Sequence, residues 1–351
     1  MPARLIFILV AIVVLGIPAA AQSGRVKPAE SPTPQPQKRI SLPGPIVDRP
    51  RIAEPTATPF PADDGEVITV DSTLVPIPVS VVDRSGRAVR TLNLNDFDLK
   101  IDGRTVEISD ISRAQTPVRL AMLFDNSGSV LKAREFEIEA AIGFFRRVLR
   151  PDRDLAALYS VSTYTRLEQP FTRDVNLLVR TIRAMPPPTG ATALLDGIEM
   201  AAEYLGEQTG RRVIVIVSDG DDTKTDTTFD AALRMAQNYN CQIYVVRTTE
   251  FENFIRTGSR VSNANSRLLT AERRMLEFAR QTGGSVFSPI DRSELDEAFR
   301  AISAELAEQY ILNYYPDDLS PARGEFRKIE LSIKGRDDMT IRARNGYYVR
   351  R

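Results

Sequence analysis

The sequence predicts an α/β fold: a doubly wound, mostly parallel sheet, inserted in or flanked by a small β-sandwich. Three observations predict it. Through the middle of the chain, short apolar runs alternate with stretches of helical period. Runs such as Val213-Ile214-Val215-Ile216-Val217 are apolar on both faces, as a parallel sheet covered by helices on both sides requires. Before and after that region the period falls to two, the pattern of half-buried strands.

Residues 1–21 read as a secretory signal, with Arg4 in a positive n-region, an apolar stretch over 5–16 and Ala19-Ala20-Ala21 before Gln22 as the cleavage site. The alternative is an uncleaved N-terminal anchor, since the stretch is near the lower length limit of a spanning helix. No cysteine stands near the cleavage point, which argues against lipoprotein anchoring. No later segment is apolar enough to span a bilayer. The mature chain is therefore expected to be exported to the periplasm, cell envelope or extracellular space. Residues 22–65 form a linker punctuated by prolines 28, 32, 34, 36, 43, 45, 50, 55, 59 and 61, too poor in large apolar residues to bury a core.

The first β-segment, 66–116, opens with Val75, Ile77, Val79 and Val81 alternating with Pro76, Pro78 and Ser80. Two prolines cannot donate to a ladder, which predicts an edge strand. Asp83-Arg84-Ser85-Gly86 is a turn, and Asp102-Gly103 is a hairpin signal between Phe97-x-Leu99-x-Ile101 and Val106-x-Ile108. The α/β region, 117–308, has strand candidates at 119–124, 154–162, 166–171, 213–218, 242–247 and 285–289. Helix candidates are 131–150, 175–185, 193–206, 228–240, 271–282 and 293–310. In the first helix Ile138, Ile142, Phe145 and Leu149 share a face before Pro151; in the last, Leu295, Phe299, Ile302 and Leu306 do, with Asp291 and Glu294 as a capping pair. Period two returns over 309–351. Neither flanking segment buries enough surface alone, so pairing of the two into one discontinuous sandwich is the economical arrangement.

Composition removes several functions. The 351 residues carry 46 basic and 46 acidic side chains, for a formal net charge of zero, which favours neither nucleic acid nor an acidic membrane surface as partner. There is no histidine, which excludes Ser-His-Asp and Cys-His catalysis and the commonest transition-metal ligand. Cys241 is alone and cannot form a disulfide within the chain; its apolar surroundings read as a buried small hydrophobe.

The chemistry concentrates in three segments. Asp125-Asn126-Ser127-Gly128-Ser129 follows the first parallel strand, Thr192 sits after the Pro-Gly-rich loop 186–191, and Asp219 begins Asp219-Gly220-Asp221-Asp222 after the strand 213–218. In an open parallel sheet, ligands bind beyond the carboxyl ends of the strands. Singly, these motifs read as an Asx-turn with capping serines, a helix N-cap and a solvated acidic loop. Together, in that order and at those strand ends, they supply hard oxygen ligands suited to Mg²⁺, with Mn²⁺ or Ca²⁺ as alternatives.

Asp125-x-Ser127-x-Ser129, Thr192 and Asp219 resemble the metal-ion-dependent adhesion site of von Willebrand factor A domains, shared with integrin I domains, over about 117–306. The whole chain is similar to bacterial exported von Willebrand A-related proteins, including the tail Gln309-Tyr310…Tyr314-Tyr315-Pro316 and Arg344-Asn345-Gly346-Tyr347. The resemblance implies that Ser127 and Ser129 bind the cation directly, Thr192 directly or through water, and Asp125 and Asp219 largely through water. One coordination position stays open for an acidic side chain of a protein partner. It also implies that binding couples to movement of the last helix. A metal-dependent adhesion module, not an enzyme, is the expected function. A metal-assisted hydrolase would have no base beyond carboxylates, and a scaffold with a loop-stabilising metal is the third reading.

Overall fold

The computed structural model describes residues 74–113, 116–259, 266–316 and 324–349. The signal and linker expected at 1–21 and 22–65 lie outside the described residues. Four strands come first: β1 (Val75–Val82), β2 (Phe97–Ile101), β3 (Arg104–Thr105) and β4 (Asp110–Arg113). The alternating part follows as β5 (Val118–Asp125), α1 (Arg134–Val148), β6 (Leu155–Val161), β7 (Thr165–Thr172), α2 (Val175–Ala184), α3 (Leu194–Gly206) and β8 (Arg211–Ser218). It continues through α4 (Phe229–Asn238), β9 (Cys241–Arg247), α5 (Thr249–Thr257), α6 (Ser266–Thr282), β10 (Val286–Phe287) and α7 (Arg292–Glu308). β11 (Tyr310–Tyr314), β12 (Phe326–Ile333), β13 (Thr340–Ala343) and β14 (Gly346–Tyr348) close the described chain.

The central six-stranded sheet runs β10-β9-β8-β5-β6-β7 and is parallel except for β7. β7 reverses because only residues 162–164 connect it to β6, too few for a crossover. β5 and β8 are central, so both their faces are covered. Leu120, Met122 and Phe124 join a cluster with Phe144 of α1 and Phe299 of α7, while Ala121 and Leu123 join Leu194 and Ile198 of α3 on the other face. The Phe144 and Phe299 rings meet edge-to-face at 5.7 Å.

Two four-stranded antiparallel sheets, β13-β1-β11-β4 and β14-β12-β2-β3, pack over a third apolar cluster. Each draws strands from both sides of the α/β region. β1 pairs with β11 from Val75↔Tyr314 to Val79↔Tyr310, and β2 pairs with β12 from Phe97↔Ile333 to Ile101↔Ile329.

Several expectations from the sequence need correction. β1 is an edge strand over its first half only: β13 pairs with it over Val79–Val82. The reason the prolines are tolerated is local. Pro76 and Pro78 lie in the half where only β11 is paired, and the Pro76 carbonyl is taken by the Arg344 guanidinium at 2.9 Å. The first helix ends at Val148, not 150, and a 3₁₀ turn over Gly128–Lys132 precedes it. Its buried face includes Phe136, Ala140, Ala141 and Phe144, leaving Ile138 only half-buried. α5 was missed because nine residues of mixed polarity carry too few helical turns to show a period. α6 starts at Ser266 rather than 271. At α7, Asp291 accepts from the Glu294 N–H at 2.9 Å, but the Glu294 carboxylate takes the N–H of Ile290, so the reciprocal arm lands one residue early. Cys241 is buried at the start of β9.

Where α7 runs into β11, Gln309 is fully buried. It accepts from the Arg211 guanidinium at 2.9 Å and donates to the Ser80 hydroxyl at 3.0 Å, joining β8 to β1. Glu305 of α7 pairs with Arg342 of β13. A polar seam thus ties the antiparallel sheets to the lower end of the parallel one.

Candidate functional site at the carboxyl end of the parallel sheet

Asp125 is the last residue of β5 and is buried. One of its carboxylate oxygens, Oδ1, accepts the Ser127 N–H at 2.9 Å, closing an Asx-turn that swings the chain off the strand. The other, Oδ2, accepts from the Ser218 hydroxyl at the end of β8. β5 and β8 are adjacent and parallel, so their ends bring Asp125 and the Asp219 segment to one edge. The Ser127 and Ser129 hydroxyls lie 2.9 Å apart, and Ser129 hydrogen-bonds Asp219. Ser127 heads the 3₁₀ turn without capping it, which frees its hydroxyl for the cluster.

The loop before Thr192 reaches this edge through its backbone. The Gly128 N–H donates to the Gly190 carbonyl at 3.0 Å and the Thr189 N–H to the Asn126 carbonyl at 3.0 Å. Gly190 must be glycine: its φ is +80°, and a Cβ would stand 2.4 Å from the Thr163 hydroxyl. The Thr192 N–H donates to the Thr223 hydroxyl at 2.9 Å, and its carbonyl accepts from the N–H groups of Thr223 and Lys224. Thr192 is not the N-cap of α3. That place is Ala193, and the Asp222 carboxylate accepts the Leu194 and Leu195 N–H groups instead. Asp196 then holds the loop beyond, accepting from the Thr225 hydroxyl at 2.7 Å and the Thr227 N–H at 2.9 Å.

Asp219 is buried too, rather than sitting on a solvated loop. Its carboxylate accepts the Asp221 N–H at 2.9 Å, and Gly220, at φ +81°, turns the chain against Met275 of α6. Asp221 is held by a two-pronged ion pair with Arg267 at 2.7 Å. Side-chain contacts therefore gather Asp125, Ser127, Ser129 and Asp219, and backbone contacts hold Thr189 and Gly190, just before Thr192, against the loop that follows Asp125. Among the described residues, no group of three or more His, Cys, Asp or Glu side chains has metal-ligand spacing. The donor set is two carboxylates with hydroxyls.

Burial, and then the nearby Asp219 carboxylate, push the Asp125 carboxyl up to about 7. Burial raises Asp219 as well. Two further carboxylates escaped the sequence reading. Glu137 of α1 is completely buried; its Oε1 accepts from the Thr248 hydroxyl at 2.9 Å, and its Oε2 has no partner among the described residues. Burial raises it well above the usual carboxylate range, and Asp125 adds to the rise. Glu252 of α5 is pushed to about 7 by burial and then by Asp219. The signal for Glu137 was present: it stands in helical register with Ala141, Phe144 and Val148, an acid on an apolar stripe. Arg134 lies over the Phe124 ring at 4.9 Å and feels the charges of Glu137, Glu135 and Asp125. Buried carboxylates without an ion pair, set among hard hydroxyl donors, fit a divalent cation.

Residues 120–222 match the family model described as von Willebrand factor type A domain. The chain carries a von Willebrand factor A domain. Among curated proteins none matches the chain in sequence. Solved structures resembling it include BatB from Bacteroides thetaiotaomicron, at 16% identity and TM-score 0.41, covering 54% of this chain and 98% of that one. An aerotolerance-related membrane protein from Bacteroides fragilis gives 20%, 0.40, 54% and 98% in the same order. The PilB minor pilin from Streptococcus sanguinis gives 14%, 0.41, 58% and 64%. These are likenesses of fold only. No helix of the described residues is long and apolar enough to cross a membrane.

Proposed function

We propose that this von Willebrand A domain belongs to an exported, non-enzymatic protein-binding or adhesion module, which holds a divalent cation, Mg²⁺ first, and captures an acidic side chain of a partner protein. The metal ligands are Asp125, Ser127, Ser129, Thr192 and Asp219, and the domain limits are 66–116, 117–308 and 309–351. One observation carries the reading: Asp125, Ser127, Ser129 and Asp219 converge at the carboxyl end of β5 and β8, with neither carboxylate in an ion pair among the described residues. A bound cation would be held by the serine and threonine hydroxyls and balanced by the two aspartates. With only two carboxylates contributed by the protein, it retains attraction for a third from outside. Calorimetric titration of Mg²⁺ into the wild type and Asp125→Ala tests this. Binding by the wild type and at least tenfold weaker binding by the variant is the expected result; equal affinity removes the site.

A further inference from the structure

The exposed apolar side chains are unevenly placed. Among the described residues, nine large hydrophobics are exposed, and six of these lie between 38% and 50%. The remaining three stand apart: Leu131 at 62%, Ile255 at 66% and Tyr164 at 75%. Each of the three is beside a different segment of the cation site.

Leu131 is in the 3₁₀ turn that carries Ser129, two residues away. Tyr164 tips the β6–β7 turn. Its neighbour Thr163 accepts the Ala191 N–H at 3.1 Å, directly before Thr192. Ile255 is on α5, whose first residue, Thr249, donates its hydroxyl to the Asp219 carbonyl at 3.0 Å. α5 is fixed against α1 by the stacked Phe251 and Phe136 rings, 3.8 Å apart. Glu252, one turn before Ile255, feels the charge of Lys132, the residue after Leu131. Scattered surface hydrophobics need no explanation, but the three most exposed each standing on a segment tied to one polar site do.

We infer that Leu131, Tyr164 and Ile255 form an apolar collar around the cation site, and that the partner presents its acidic side chain from an apolar surface, an Asp or Glu flanked by Leu, Ile or Phe. This rests on the cation-binding reading above. The site itself supplies the charge complementarity: a cation between two carboxylates takes one more carboxylate from outside. The collar adds what the charge alone cannot. Apolar contact on three sides excludes water from the carboxylate–cation bond, and a lower local dielectric strengthens that bond. A polar-flanked acid meets the same cation but leaves the collar wet and gains nothing from it.

Two synthetic peptides with the same central Asp test the inference, one flanked by Leu and Phe and the other by Ser and Asn. Each is titrated against the Mg²⁺-saturated full chain and against Leu131→Ser/Tyr164→Ser/Ile255→Ser, with Mg²⁺ affinity measured separately by calorimetry. The apolar-flanked peptide should bind the wild type about tenfold more tightly or better, and the triple variant should keep its Mg²⁺ affinity while losing most of that preference. Equal binding of the two peptides overturns the collar, as does a preference that survives in the triple variant or failure of both peptides on Mg²⁺-loaded protein. Self-association of the wild type that the triple variant abolishes overturns it too, because the face then belongs to a second copy. If Mg²⁺ does not bind, or binds Asp125→Ala equally, it is the cation site that has failed. These substitutions are on exposed side chains, so a folding defect would show as lost Mg²⁺ affinity; the single variant Tyr164→Ser, judged on the same peptide ratio, then decides.

Discussion

Replacing Asp125 by Asn should stabilise the protein without metal and deprive it of stabilisation by metal. Asp125 is wholly buried, and its carboxyl is raised from an ordinary 3.8 to about 7, chiefly by burial. Because the folded-state value lies above the unfolded one, the contribution to stability is complete below about 3.8 and is lost as pH climbs through about 7. At about 1.4 kcal/mol per pH unit, ionising Asp125 in the metal-free fold costs on the order of 4 kcal/mol at pH 8. Asn removes that cost, keeps the Oδ1 acceptor for the Ser127 N–H and turns the Ser218 contact from acceptor to donor. Rearranging one hydrogen bond costs about 1 kcal/mol, so the net gain should be about 1–3 kcal/mol. Urea unfolding at pH 8 in EDTA and again in excess Mg²⁺ measures both effects. Asp125→Asn should be more stable than wild type in EDTA and indifferent to Mg²⁺. A variant less stable than wild type in EDTA, or equally stabilised by Mg²⁺, would refute the reasoning.

Mg²⁺ affinity of the wild type should rise with pH through about 7, since the ion displaces protons held by Asp125 and Glu252; calorimetry in buffers of different ionisation enthalpy reports the released protons. Asp222→Ala should cost about 0.5–2 kcal/mol by uncapping α3, and should weaken Mg²⁺ binding because the Thr192 loop loses its brace. Urea unfolding and metal titration read the two effects separately. Gly190→Ala should lose about 1–2 kcal/mol in urea unfolding, since alanine is strained at φ +80° and its Cβ displaces Thr163. Gln309→Ala should cost about 1–3 kcal/mol in the same assay by stranding the Arg211 guanidinium in the interior, with Mg²⁺ affinity unchanged.

The doubly wound sheet was legible because β5, β8 and β9 are apolar on both faces, a pattern few other arrangements satisfy. The location of the candidate site was legible because Asp125 and Asp219 each stand at the end of such a strand. What escaped depends on distance in sequence. The partners of β1 on its two edges, β11 and β13, lie far along the chain, so nothing near Pro76 reveals that β1 is an edge strand over only half its length. Glu137 was hidden by a face drawn through Ile138, one residue away. That Asp222, not Thr192, caps α3 depends on a contact between loops. Local pattern gives elements; long-range contact decides which polar groups serve them.

The interleaving of strands from the two ends of the described chain dictates an order of events when it folds. Every ladder of the parallel sheet lies between Val118 and Phe287, so that sheet can form before β11, β12 and β13, the long-range partners of β1 and β2, have been synthesised. Once formed, it brings Arg211 against the carbonyl of Pro117 and the side chain of Gln309, holding its entry and exit together and sparing most of the loop-closure cost of the last step. Until then β1 waits with its main chain unsatisfied, open to a strand from another molecule. Pro76 and Pro78 take two donors out of that waiting strand, and so guard the nascent chain against aggregation as well as fitting the finished sheet.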